Sequence, residues 1–149
     1  MKRILFVEDD PRGVNPYFNN LRLRGYECIA AHNGDEALRR LRREKFDLLS
    51  LDVMFDPGQT LPGVSDPRRS GLRLLEHIRS GKIRNCDPQM KVMVLTAIEN
   101  PPVEEKIKKL GVLDYLKKPV AFDKVIAAIT QAVQEDKLDV TETDRSLLL

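Results

Sequence analysis

Short apolar runs alternate with amphipathic stretches along most of this chain. Ile4-Leu5-Phe6-Val7, Tyr26 to Ala31, Leu48-Leu49-Ser50-Leu51, Val92-Met93-Val94-Leu95 and Val112 to Leu116 are short, apolar and rich in β-formers. They predict strands over 3–8, 26–31, 47–52, 91–95 and 112–116. Between them, apolar residues recur at helical spacing. Tyr17, Phe18, Leu21 and Leu23 predict a helix over 16–24, entered after Pro16 and stopped by Gly25. Ala37, Leu38 and Leu41 mark a second helix after Asn33-Gly34. Leu72, Leu74, Leu75 and Ile78 mark a third, ending near Gly81. Val103, Ile107 and Leu110 mark a fourth, from Pro101-Pro102 to Gly111, and Val125, Ile126, Ile129 and Val133 a last one over about 121–136. The alternation predicts an α/β fold: a (βα)5 unit, doubly wound around a five-stranded parallel sheet.

Residues 55–70 break the rhythm. Three prolines and two glycines in that stretch predict a loop, long for a connection after a third strand. From about Leu138 no period is visible, so the domain is expected over 1–137. The tail, 138–149, is read as disordered or weakly docked.

Strand ends carry the chemistry. In parallel α/β sheets the carboxyl ends of the strands converge on one crevice. Here they deliver Glu8-Asp9-Asp10, Asp52, Thr96 and Lys117-Lys118. Carboxylates gathered there repel one another at neutral pH and call for a hard cation, with oxygen-only ligation favouring Mg2+. A hydroxyl and an ammonium beside them suit a phosphoryl group. Any one of these residues alone reads as a solvated turn acid, a cap or a surface lysine. Asp10 before Pro11 is an ordinary helix cap in that view. The joint occurrence at four strand ends is what points to a site. Lys118-Pro119 also suggests a cis peptide bond.

Composition narrows the classes. The chain has 149 residues, 42% hydrophobic and 32% charged, with a net charge of +2. That length fits one domain, and the charge alone implies no nucleic acid. No apolar stretch approaches a membrane span and no signal peptide is visible, so a cytoplasmic protein is expected. Cys28 and Cys86 form no metal or disulfide motif, and two histidines offer little for histidine catalysis. The run Arg39, Arg40, Arg42, Arg43 and Lys45 is read as a solvated helix face, since no aromatics interleave it.

The matching pieces resemble a bacterial response-regulator receiver domain, like the chemotaxis regulators, with its flavodoxin-like fold. They are Ile4 to Pro11, Asn33-Gly34-Asp35-Glu36-Ala37-Leu38, Asp47 to Met54, Gly71 to Leu75, Val94-Leu95-Thr96-Ala97 and Gly111 to Pro119. They stand in family order over roughly residues 3–136. The resemblance implies that Asp52 accepts a phosphoryl group from a histidine kinase's phosphohistidine, in two-component signalling. Asp9 and Asp52 would bind Mg2+ directly with the backbone carbonyl of Met54, and Glu8 through water, with Asp10 outside. Thr96 would hydrogen-bond the phosphoryl group and Lys118 would pair with it. Thr96 and Tyr115 would act as switch residues, and the readout would be binding of a downstream protein by the face of the fourth helix, fifth strand and last helix. The expected state is a monomer or a phosphorylation-dependent dimer. It would be a signalling protein that assists its own phosphotransfer rather than an enzyme.

The long loop after Met54 departs from the family pattern. The resemblance implies that Met54 and Ile98, two residues after Asp52 and Thr96, face the phosphoryl group; both are apolar, which predicts poor orientation of attacking water and a long-lived acyl phosphate. Other readings stand beside this one. The chain could be the input domain of a longer, DNA-binding regulator, or a receiver-like interaction module that is never phosphorylated. A metal-dependent phosphohydrolase would need a substrate pocket that only the 55–70 loop could supply.

Overall fold

The computed structural model describes residues 1–134; the 138–149 tail and the last two positions of the expected 121–136 helix lie outside them. Five parallel strands form one sheet in the order β2-β1-β3-β4-β5: β1 Arg3–Val7, β2 Glu27–Ala31, β3 Leu48–Leu51, β4 Val92–Thr96 and β5 Tyr115–Lys117. The connecting helices are α1 Asn15–Leu23, α2 Gly34–Arg43, α3 Ser70–Arg79 and α4 Pro101–Leu110, and α5 occupies 122–134. This is the (βα)5 architecture that the hydrophobic pattern predicts.

Strand periodicity explains why both faces are covered. Side chains alternate across a strand, so a run apolar at every position must be buried on both sides. Leu5, Val7, Leu49, Leu51, Val92 and Val94 enter one core with α2, α3 and α4. Ile4, Phe6, Leu48, Met93 and Leu95 enter the other with α1 and α5. Ser50 is the polar exception inside β3 and is buried.

Local chemistry sets the helix ends. Asn33 caps α2 by accepting from the Glu36 amide at 2.9 Å, and Asn100 caps α4 through the Val103 amide at 3.3 Å. Gly111, at φ 96, ends α4 in a conformation that a side chain would resist.

Two expectations need correction. Leu23 was expected on the apolar stripe of α1, but it is 90% exposed; it sits in the last turn, past the surface that Phe18 and Leu21 bury. The last strand starts at Tyr115 rather than 112, with Leu113 exposed. The parallel ladder nevertheless starts earlier, since the Leu113 amide donates to Val92 O at 2.8 Å and the Val94 amide to Asp114 O at 2.9 Å.

The segment between β3 and α3 is anchored rather than loose. Phe55 and Leu61 are buried in the α2–α4 core, and Ser70 Oγ donates to Phe55 O at 2.7 Å. The Gly34 amide donates to Asp56 O at 2.8 Å, which ties the segment to the start of α2. No described helix is long and apolar enough to cross a membrane.

Candidate functional site

Strand register brings the acids together. Phe6 pairs with Ser50 and Val7 with Leu51, so Glu8 and Asp52 leave neighbouring strands on the same rung and on the same face. Both are buried, each at 8% exposure. Two carboxylates this close cannot both ionise cheaply. Burial, a hydrogen bond with Asp52 and the Asp52 charge push Glu8 up to about 8, against the opposing pull of Lys118. The Lys118 ammonium lies 3.6 Å from Glu8 Oε2.

Asp52 is held on one oxygen. Its Oδ1 accepts from the Val53 amide at 2.7 Å, the Met54 amide at 3.4 Å and the Thr96 hydroxyl at 2.7 Å. Thr96 is fully buried, and its Oγ accepts in turn from the Ile98 amide at 3.2 Å. β3 and β4 are adjacent, which is what brings Thr96 to Asp52. The Lys118 amide donates to Thr96 O at 2.8 Å, and the Lys118–Pro119 peptide is cis, as the X-Pro pair suggested.

The remaining candidates are more peripheral. Asp9 is exposed beside Glu8. Asp10 turns away: its carboxylate caps the 3-10 turn Pro11–Gly13 and pairs with Arg12 at 3.0 Å. Tyr115 is half-buried, with Lys108 Nζ 5.4 Å from its ring centroid. Burial first, then the Glu104 charge, pushes its hydroxyl up to about 12.

Does the site suit a divalent cation? Among the described residues no three acid, imidazole or thiolate groups converge tightly enough to hold a metal by themselves. The chemistry nevertheless fits. A buried carboxylate pair with a single ammonium, paired to Glu8, is short of positive charge, and Asp9 stands next to it with oxygen donors.

Two contributors were not singled out from sequence. Gly71, the second residue of α3, lies directly against the end of β3, where a Cβ would lie 2.5 Å from Asp52 O and 2.8 Å from Val53 Cα. Its amide donates to Val53 O at 2.9 Å, so only glycine lets α3 start this close to the site. A glycine one residue into a helix was the available signal. His32 Nδ1 lies 3.1 Å from Glu8 O and fixes the exit of β1; nothing in its neighbourhood of the sequence announces that.

Comparison with known proteins agrees with this geometry. The family model described as the response regulator receiver domain matches residues 4–130. The chain is 30% identical over 142 residues to the transcriptional regulatory protein CrdR of Helicobacter pylori, covering 93% of this chain and 58% of that one. It spans a little over half the length of such relatives. Among solved structures, the signal receiver domain of a Luxo repressor protein from Vibrio parahaemolyticus superposes with a TM-score of 0.72 at 23% identity, over 94% of this chain and 95% of that one. A Burkholderia pseudomallei response regulator, solved with a phosphorylated aspartic acid, a calcium ion and citrate, superposes with a TM-score of 0.64 at 26% identity, over 93% and 72%. With a match over residues 4–130 and the fold to go with it, the chain belongs to the response regulator receiver domain family of two-component signalling.

Proposed function

We propose that Asp52 is the phosphoacceptor of this receiver domain and takes its phosphoryl group from the phosphohistidine of a histidine kinase. The observation that carries this reading is the hold on Asp52. One carboxylate oxygen is fixed by two backbone amides and a buried hydroxyl, while Glu8 and Lys118 face the same carboxylate cluster. An Asp52 oxygen attacks phosphorus, the P–N bond breaks with its electron pair left on the donor's ring, and that ring, already protonated on its other nitrogen, leaves as neutral imidazole. Thr96 donates to an oxygen of the transferred group, and Lys118 exchanges Glu8 for that group's charge.

The donor set supports Mg2+ at Asp9, Asp52 and the Met54 carbonyl, with Glu8 acting through water. When bound, the cation neutralises charge on the transferring group. Phosphorylation then biases the surroundings of Thr96 and Tyr115 and so the binding of a downstream protein. The chain acts as a switch that consumes its phosphate, not as a catalyst for a separate substrate. Because it spans only 58% of a relative named as a transcriptional regulatory protein, a second reading makes it the input portion of a DNA-binding regulator.

Intact mass after incubation with acetyl phosphate and Mg2+ tests the chemistry. One phosphoryl adduct is expected, absent from Asp52→Asn and without Mg2+. No adduct on the natural chain would leave a receiver fold used only for binding. Since Met54 and Ile98 offer no polar group to attacking water, Met54→Asn is expected to shorten the lifetime of the adduct several-fold. An unchanged lifetime would remove that account.

A further inference from the structure

A second charged surface lies on α2, and the phosphoacceptor reading does not use it. From Arg39 to Lys45 five of seven residues are cationic and one, Glu44, is acidic. Glu44 is taken: it pairs with Arg40 at 2.9 Å and Arg3 at 2.6 Å. Arg39, Arg42 and Arg43 are exposed, with no ion pair among the described residues. Spaced three and four apart, they share one helix face.

The segment after β3 turns this face into a groove. Asp35 stands one turn before Arg39, where it would ordinarily pair with that arginine. Its carboxylate is instead saturated by the segment: Oδ1 accepts from the Gln59 amide at 3.0 Å, the Thr60 amide at 2.7 Å and the Thr60 hydroxyl at 2.5 Å. The Thr60 hydroxyl first, then the two amides, hold Asp35 below the usual carboxylate range. Thr60 is thereby fixed as a wall, and with Asp35, Arg39, Arg42 and Arg43 it encloses a depression of about 250 Å3. Asp35 keeps its negative charge and acts on Arg39, but three guanidiniums against one carboxylate leave the lining net positive.

We infer that the groove between α2 and the 56–61 segment is a docking surface for a carboxylate-rich segment of a partner protein. The charge is complementary, and guanidinium forks bind carboxylates bidentately. The groove's lining holds no aromatic ring on which a base could stack, and the whole chain carries only +2, which favours an acidic peptide over nucleic acid.

Fluorescence anisotropy with a labelled peptide of eight glutamates, at low and high salt, tests this. The full chain is expected to bind it, with affinity falling at least tenfold in Arg39→Glu/Arg42→Glu/Arg43→Glu. A control of equal charge change, Arg24→Glu/Lys106→Glu/Lys124→Glu, is expected to lose less than twofold. No binding, or equal loss in both variants, would overturn the assignment. Tighter binding of an eight-nucleotide thymidine strand than of the peptide would overturn it in favour of nucleic acid. Residues 135–144 carry five acids. If neutralising those five tightens peptide binding tenfold, the occupant is the chain's own tail and the partner assignment falls.

Discussion

Two carboxylates held by backbone amides, Asp52 at the end of β3 and Asp35 at the start of α2, sit in opposite electrostatic circumstances. Asp52 is buried beside a second acid, Glu8, with only Lys118 near to offset them. Asp35 is at the surface with every strong partner it needs. Hydrogen bonds to a carboxylate therefore do not tell the proposed phosphoacceptor from a fastening acid. The unmet charge around it does. The difference has a pH signature of opposite sign in the two regions. Glu8, raised from 4.5 to about 8, costs folding nothing below pH 4.5; its penalty grows as pH rises and is complete above about 8. Asp35 is held down, so its contribution is present above its ordinary value of 3.8 and is lost as pH falls below it.

The largest expected contrast is chemical. Asp52→Asn should remove phosphoryl uptake by roughly 100-fold or more, against less than twofold for Asp35→Asn, read by intact mass. A comparable loss in both would erase the distinction between reactive and fastening acids. Next comes the apolar footing of the fastened segment: Leu61→Ala should cost about 2–4 kcal/mol in urea unfolding, because a side chain 3% exposed leaves a cavity. Glu8→Gln should follow. In chelator-treated buffer its melting temperature should exceed the natural chain's by roughly 5 °C at pH 9 and converge with it near pH 5. A gap that does not change with pH would show that Glu8 is not the strained partner. Smallest is Asp35→Asn itself, expected to lower the melting temperature by roughly 2–4 °C while speeding hydrogen exchange at the Gln59 and Thr60 amides.

The proposed phosphoacceptor region is far more legible in the sequence than the fastened one. Glu8, Asp52, Thr96 and Lys118 stand out because each follows an apolar run, and parallel pairing converts that position into proximity. Asp35 reads as one more acid in a helix's first turn, because its partners, Gln59 and Thr60, are more than twenty residues away. Residues 55–70 have the composition of a loop, yet Phe55 and Leu61 are core residues; two apolar positions without a period leave no pattern to detect. The start of β5 was misjudged for the converse reason. Val112 and Leu113 are apolar, but β5 is the edge strand and Leu113, ahead of it, stays half exposed.

The Thr96 hydroxyl has a single proton and is engaged on both sides, giving to Asp52 and receiving from the Ile98 amide. It is a shared bearing between the carboxyl end of the sheet and the stretch that leads into α4. Drawing the hydroxyl toward a new acceptor would stretch its bond from the Ile98 amide. A displacement at the buried carboxylate would thereby be felt at the backbone of residue 98. Thr96→Val, nearly the same shape without the polar oxygen, would leave the acid and the amide on separate axles.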